Sequence, residues 1–162
     1  MKKLSSAFLL LLFLATAGMA QPEARVYDSI AKYSDLVFSG TVISQRSFLR
    51  SDSTLFTETV FNDIEVVKSE NASRSVNDPE IRIKHAGGTL NGKTVMTPDI
   101  PELAVGKRYF VFVKDDGVFH SNPFPGGCKA VIEISKDSRT GGESLSPVSS
   151  CRSVAFAPGK GL

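Results

Sequence analysis

"HAGGTLNGKTV", His85 to Val95, holds Gly87, four residues, and then Gly92-Lys93-Thr94. That is the letter spacing of a phosphate-cradling P-loop. A P-loop opens into a helix whose N-terminal N–H groups and dipole hold the phosphates. Here the chain continues Val95-Met96-Thr97-Pro98-Asp99-Ile100-Pro101. Pro98 drives Thr97 out of the α region and breaks a helix in its first turns, and Pro101 repeats the obstacle. The same letters contain Asn91-Gly92, a pair suited to a type I′ turn, in which both central residues need positive φ. The stretch therefore predicts a β-hairpin flanked by Leu90 and Lys93. Gly87-Gly88 supplies a bulge or kink at its base, and Lys93 is a solvent-facing edge residue. Nucleotide binding is not expected.

The neighbouring segments are also β-rich. Upstream, Glu80 to Lys84 alternates, with Ile81 and Ile83 inward and Arg82 and Lys84 outward. Leu55 to Lys68 is a long β-type run. Leu55, Thr57, Thr59 and Phe61 share one phase, and Ile64 and Val66 share the other. A phase switch near Asn62-Asp63 predicts a bulge, which bends a long strand. Leu36 to Ser44 reads as a strand with Gly40 marking a bulge or bend. Arg46 to Thr54 and Ser69 to Pro79 read as polar loops. Downstream, Lys93 to Thr97, Arg108 to Val113 and Cys128 to Ser135 read as strands. Asp115-Asp116-Gly117 and Arg139 to Gly142 read as turns. Glu23 to Tyr33 forms one short helix, with Tyr27, Ile30, Ala31 and Ser34 on one face.

The N-terminus sets the compartment. MKKLSSAFLLLLFLATAGMA has a Lys2-Lys3 head, an apolar run from Ala7 to Ala17 and small residues at Gly18 and Ala20. The run is too short to span a bilayer comfortably, so residues 1–20 are expected to be a secretory signal peptide. No membrane span is expected after its cleavage. No cysteine stands directly after the apolar run, which argues against lipid attachment. The expected location is the periplasm or the medium. Residues 21–154 suit a single domain, and residues 155–162, ending Pro-Gly-Lys-Gly-Leu, read as a flexible tail. Beyond residue 20 there are 17 basic and 17 acidic residues. That balance lacks the basic footprint of a nucleic-acid binder.

Candidate chemistry is sparse. Cys128 and Cys151 both follow the signal, and an exported pair is expected to form a disulfide. A zinc site using them with His85 and His120 lacks the usual CxxC or HxxxH spacing. No G-x-S-x-G elbow exists. A hydrolytic relay drawn from His120, Asp115 or Asp116 and a serine has no defining geometry, and a turn with solvated charges describes these residues better. Asn71-Ala72-Ser73 is a glycosylation sequon, relevant only to a eukaryotic secretory route. No catalytic, cofactor-binding or metal-ligating residue is expected.

The order of parts carries a resemblance. Ser34-Asp35-Leu36-Val37-Phe38-Ser39-Gly40-Thr41-Val42 opens it, and Ile64-Glu65-Val66-Val67-Lys68 follows. Then come His85-Ala86-Gly87-Gly88 and Pro101-Glu102-Leu103-Ala104-Val105-Gly106-Lys107-Arg108-Tyr109-Phe110. In this order the chain resembles a group of small secreted bacterial proteins. It is also similar to the netrin-like, tissue-inhibitor-of-metalloproteinase group of barrels, over roughly residues 34–134. The resemblance implies an oligonucleotide/oligosaccharide-binding (OB)-type barrel that binds another exported protein, with a protease as one candidate. Those inhibitors bind protease zinc through an N-terminal Cys-x-Cys. This chain has Gln21-Pro22 at the expected cleavage point, so no inhibitory residue carries over.

The expected fold is therefore mainly all-β, a five- to six-stranded OB-like barrel with one short N-terminal helix. The expected function is non-catalytic binding in an exported domain. Secreted metalloprotease inhibition is the first alternative and a small hydrolase using His120 the second.

Overall fold

The computed structural model describes residues 22–70, 79–116, 119–137, 139 and 141–148. The expected signal peptide, the sequon at Asn71 and Cys151 with its following tail lie outside those residues. Among the described residues, no helix is long and apolar enough to cross a membrane.

The elements run α1 (Pro22–Tyr33), β1 (Leu36–Leu49), β2 (Leu55–Ser69), β3 (Ile81–Ala86), β4 (Gly88–Leu90), β5 (Lys93–Val95), β6 (Arg108–Val113), a 3₁₀ turn η1 (Gly127–Ala130), β7 (Val131–Lys136) and β8 (Glu143–Pro147). One antiparallel six-stranded sheet has the order β3-β2-β1-β6-β7-β8, and β4-β5 form a separate two-stranded ribbon. The fold is thus mainly β, as expected.

The predicted bend in β2 is present. Ser39 pairs with Glu65 and Thr41 with Asn62, so Gly40 alone faces both Asp63 and Ile64. Asp63 takes a positive φ of 54° there. Arg108 on β6 fastens this bulge. Its Nη1 donates to the Asp63 carbonyl at 3.1 Å and to the Asp63 carboxylate at 2.9 Å, while Nη2 donates to Ser39 Oγ at 2.8 Å. Two further register shifts, between Val37 and Phe38 and between Val42 and Ser44, bend the same pair. Side chains on the inner side of the curve form the core, in which Phe38, Val42, Phe61 and Val111 are fully buried. Phe38 and Phe61 meet edge to face at 5.3 Å.

Helix α1 closes one side of that core. Ile30 is buried and Tyr27 stacks on Phe112 at 6.2 Å, which is the face expected from its spacing. Lys68 from β2 caps the helix C-terminus, donating to the carbonyls of Ala31 (3.0 Å) and Ser34 (2.9 Å). A cation suits that end of the helix dipole.

Three expectations need correction. Residues 46–49 are not loop: β1 runs on to Leu49, and Ser47 pairs with Thr57 and Phe48 with Phe56. The hairpin ladder keeps polar residues in strand geometry once their backbone groups are paired. Cys128 does not open a strand. Gly126 and Gly127, at φ 101° and 60°, fold residues 127–130 into η1, and the strand starts at Val131. Residues 143–147, where no strand is expected, pair with β7 as β8, whose side chains are all exposed.

Candidate functional site

The opening stretch forms the predicted hairpin. Asn91 and Gly92 both have positive φ, 52° and 75°. Leu90 pairs with Lys93, Thr89 with Thr94 and Gly88 with Val95. Lys93 is exposed. The ribbon docks on the end of the β1–β2 hairpin through short polar contacts. Thr57 Oγ1 donates to the Gly87 carbonyl at 2.8 Å, Ser47 Oγ accepts the Thr89 N–H at 3.2 Å, and the two hydroxyls stand 3.0 Å apart. A Cβ on Gly88 would overlap Thr57 Oγ1 and stand 2.6 Å from Ser47 Oγ. Only a glycine lets the ribbon sit this close.

Beyond β5 the chain returns as a strap over residues 96–104. Pro101 and Leu103 are buried, and the Ala104 N–H donates to the Tyr109 hydroxyl at 2.9 Å. Ribbon, strap and sheet enclose a cleft of about 440 Å³. Gln45, Ser47 and Thr57 line it from β1 and β2, and His85 from β3. Val95 and Met96 line the ribbon side, and Asp99, Ile100, Glu102 and Leu103 line the strap side. Cys128 of η1 reaches it too. No lysine or arginine is among the lining residues.

His85 is 7 % exposed. Its Nδ1 stands 3.1 Å from the Ala86 carbonyl, which only an N–H can satisfy, so Nδ1 carries the proton. Burial holds its pKa below the ordinary histidine value, and the Ala86 carbonyl opposes that shift more weakly. The ring is therefore neutral near pH 7, with a bare lone pair on Nε2. That atom is buried and has no hydrogen-bond partner among the described residues.

The other sequence candidates are placed as follows. His120 Nε2 lies 3.0 Å from Asp116 Oδ1, so the proposed His–Asp contact exists. Among the described residues no serine hydroxyl bonds to His120. Cys128 is not a free thiol, and its expected partner Cys151 lies outside the described residues. His85 and Cys128 share the cleft and His120 does not line it. Among the described residues no three metal-ligating side chains gather. Sequence reasoning passed over Asp99 and Glu102, and treated His85 only as a zinc candidate. Its place as the third inward residue after Ile81 and Ile83 was the available signal.

Searches against protein-family models, curated proteins and solved structures find no match to this chain.

Proposed function

We propose that this protein is an exported, non-catalytic binding domain on a curled OB-type barrel, and that its partner engages the cleft between ribbon, strap and sheet. The observation that carries the reading is the cleft itself. It is open, mixed in polarity, and walled by a hairpin that Gly88, Ser47 and Thr57 hold in place. Pockets of this size with a few convergent polar groups are the usual form of a binding site. The signal-like N-terminus supports export, and the balanced charge suits a protein partner better than a nucleic acid. A disulfide between Cys128 and Cys151 would tie the C-terminal segment to the cleft rim. A metalloprotease as the partner is the narrower form of the same reading, and it rests on the netrin-like order of motifs alone.

The test is capture from the exported fraction of the native host by immobilised mature protein. The reading expects one partner recovered by wild type, lost with Thr89→Trp, which fills the cleft, and kept with Lys93→Ala on the outer face. Ester or peptide turnover by the purified protein, abolished in His120→Ala, would replace it with the hydrolase reading.

A further inference from the structure

The binding reading, on which this inference rests, does not specify how a partner holds the cleft. Among the described residues three strands have an edge that no other strand covers: β3 and β8 at the two ends of the large sheet, and β5 in the ribbon. Such edges offer N–H and C=O groups to other chains, and proteins blunt them with charge or proline. β3 carries exposed Arg82 and Lys84, and its Ala86 N–H already donates to the Ser121 carbonyl at 2.7 Å. β8 carries Glu143 and Pro147. After Lys93, β5 continues as Thr94-Val95-Met96-Thr97, with neither charge nor proline. Val95 and Met96 are 51 % and 68 % exposed. The turn fixes the phase of this edge. In a two-residue hairpin the flanking pair, Leu90 and Lys93, exchanges its backbone bonds, so the next pair, Thr89 and Thr94, points N–H and C=O outward. The Thr89 N–H has this phase, because it leaves the ribbon to reach Ser47 Oγ. No described residue bonds the Thr94 N–H or C=O. Beside that edge the cleft offers hydroxyls and an amide, from Gln45, Ser47, Thr57, Thr89, Thr94 and Thr97. Uncharged groups of this kind suit a peptide backbone and give a charged segment no counter-ion.

We propose that β5 is a docking edge, to which an extended, uncharged segment of a partner protein adds as a third strand. The segment pairs with the Thr94 N–H and C=O and lies along Val95 and Met96 at the mouth of the cleft. Strand addition of this kind is a common mode of peptide recognition. The edge is short, so the hydroxyl lining beside it supplies the remaining contacts.

The probe is a heptapeptide of alternating threonine and valine, N-methylated at every second amide so that one edge alone can pair. Its control is the same peptide methylated at every amide. The mature protein is expected to bind the first saturably and at least tenfold more tightly than the second, with slowed exchange of the Thr94 N–H. Thr94→Pro should lower that affinity at least tenfold, and Thr94→Val should keep it. Both variants lose the Thr89–Thr94 hydroxyl contact. Only proline also removes the outward N–H, which no ribbon bond uses. Sedimentation of the protein alone tests the other occupant: a dimer that Thr94→Pro dissociates assigns the edge to a second copy and overturns the proposal. No saturable binding of the single-edge peptide, equal binding of the two peptides, or binding unaffected by Thr94→Pro also overturns it. If such a result accompanies partner capture that Thr89→Trp abolishes and Thr94→Pro does not, the binding-domain reading stands and this inference alone falls.

Discussion

Asp35 Oδ2 lies 2.9 Å from Lys114 Nζ and accepts the Asp115 backbone N–H at 3.2 Å. The Asp35 backbone bonds the Val113 carbonyl through its N–H and the Glu70 N–H through its carbonyl. One residue thus joins the end of α1 to β1, β2 and β6.

The two partners of that ion pair are unequal. Asp35 is buried, and Lys114 is 38 % exposed. Asp35→Ala should cost about 1–3 kcal/mol, because it takes the carboxylate away from the part-buried Asp115 N–H as well as from Lys114. Lys114→Ala should cost clearly less, and added salt should narrow what difference it makes. Urea midpoints of the two variants give the ranking. Equal losses would show that the ion pair, not the backbone contact, carries the effect.

The ribbon gives a second contrast. Gly92→Val forces a β-branched residue to φ 75° and should destabilise by about 1–3 kcal/mol. Gly88→Ala should loosen the ribbon from Ser47 and Thr57, seen as faster amide exchange at Thr89. Lys93→Ala should leave the melting point unchanged and give no response to ATP. If ATP stabilises wild type but not Lys93→Ala, the hairpin does not describe the function of this stretch.

Acid should weaken the fold through His85. Its folded pKa is depressed, so between that value and the unfolded value of about 6.5 the unfolded chain binds more protons. Stability from this residue is unaffected above pH ~6.5, falls as pH drops through it, and levels off below the folded pKa. Other titrating groups cancel when wild type is compared with His85→Gln. The stability difference between them, followed from pH 8 to pH 4, should shift steadily in the variant's favour toward acid. A pH-independent difference would place the ring in contact with water.

The cysteine pair is tested by mass with and without reductant. A Cys128–Cys151 bond closes a loop of about two dozen residues, worth roughly 3 kcal/mol by chain entropy if unstrained. A domain of this size has about 5–15 kcal/mol of net stability, so reduction should lower the melting point without unfolding the protein. Two thiols that alkylate readily before reduction, on protein recovered from an oxidising compartment, would sink the pairing.

Local chemistry made part of this molecule legible in the sequence. Asn91-Gly92 specified a turn whose φ values few other pairs adopt. The phase switch at Asn62-Asp63 was a bulge because a curved sheet must keep apolar residues inward on both sides of the bend. Other elements were set by partners distant in sequence. Gln45 to Leu49 are strand because β2 lies opposite them, and residues 143–147 because β7 offers an edge. Neither segment has an apolar pattern that would reveal it. The acidic wall of the cleft was hidden for the same reason. Asp99 and Glu102 sit among prolines in what reads as loop, and the Tyr109 hydroxyl with buried Pro101 and Leu103 fixes the strap that carries them.

The sheet order has a kinetic consequence. β1 and β2 are joined by five residues and pair along nearly their whole length. β1's other neighbour is β6, and the Leu36–Val113 pair spans 77 positions of chain. A hairpin closes in about 1–10 μs, whereas distant strands must first overcome a much larger loop entropy. The bent β1–β2 hairpin should therefore nucleate folding, with β6 arriving at the rate-limiting step. Substitutions at Phe56 or Phe61 should slow folding, while substitutions at Val131 on β7 should mainly speed unfolding. The interval before β6 docks is when the inner edge of β1 is open to other strands, which makes it the stage most exposed to aggregation.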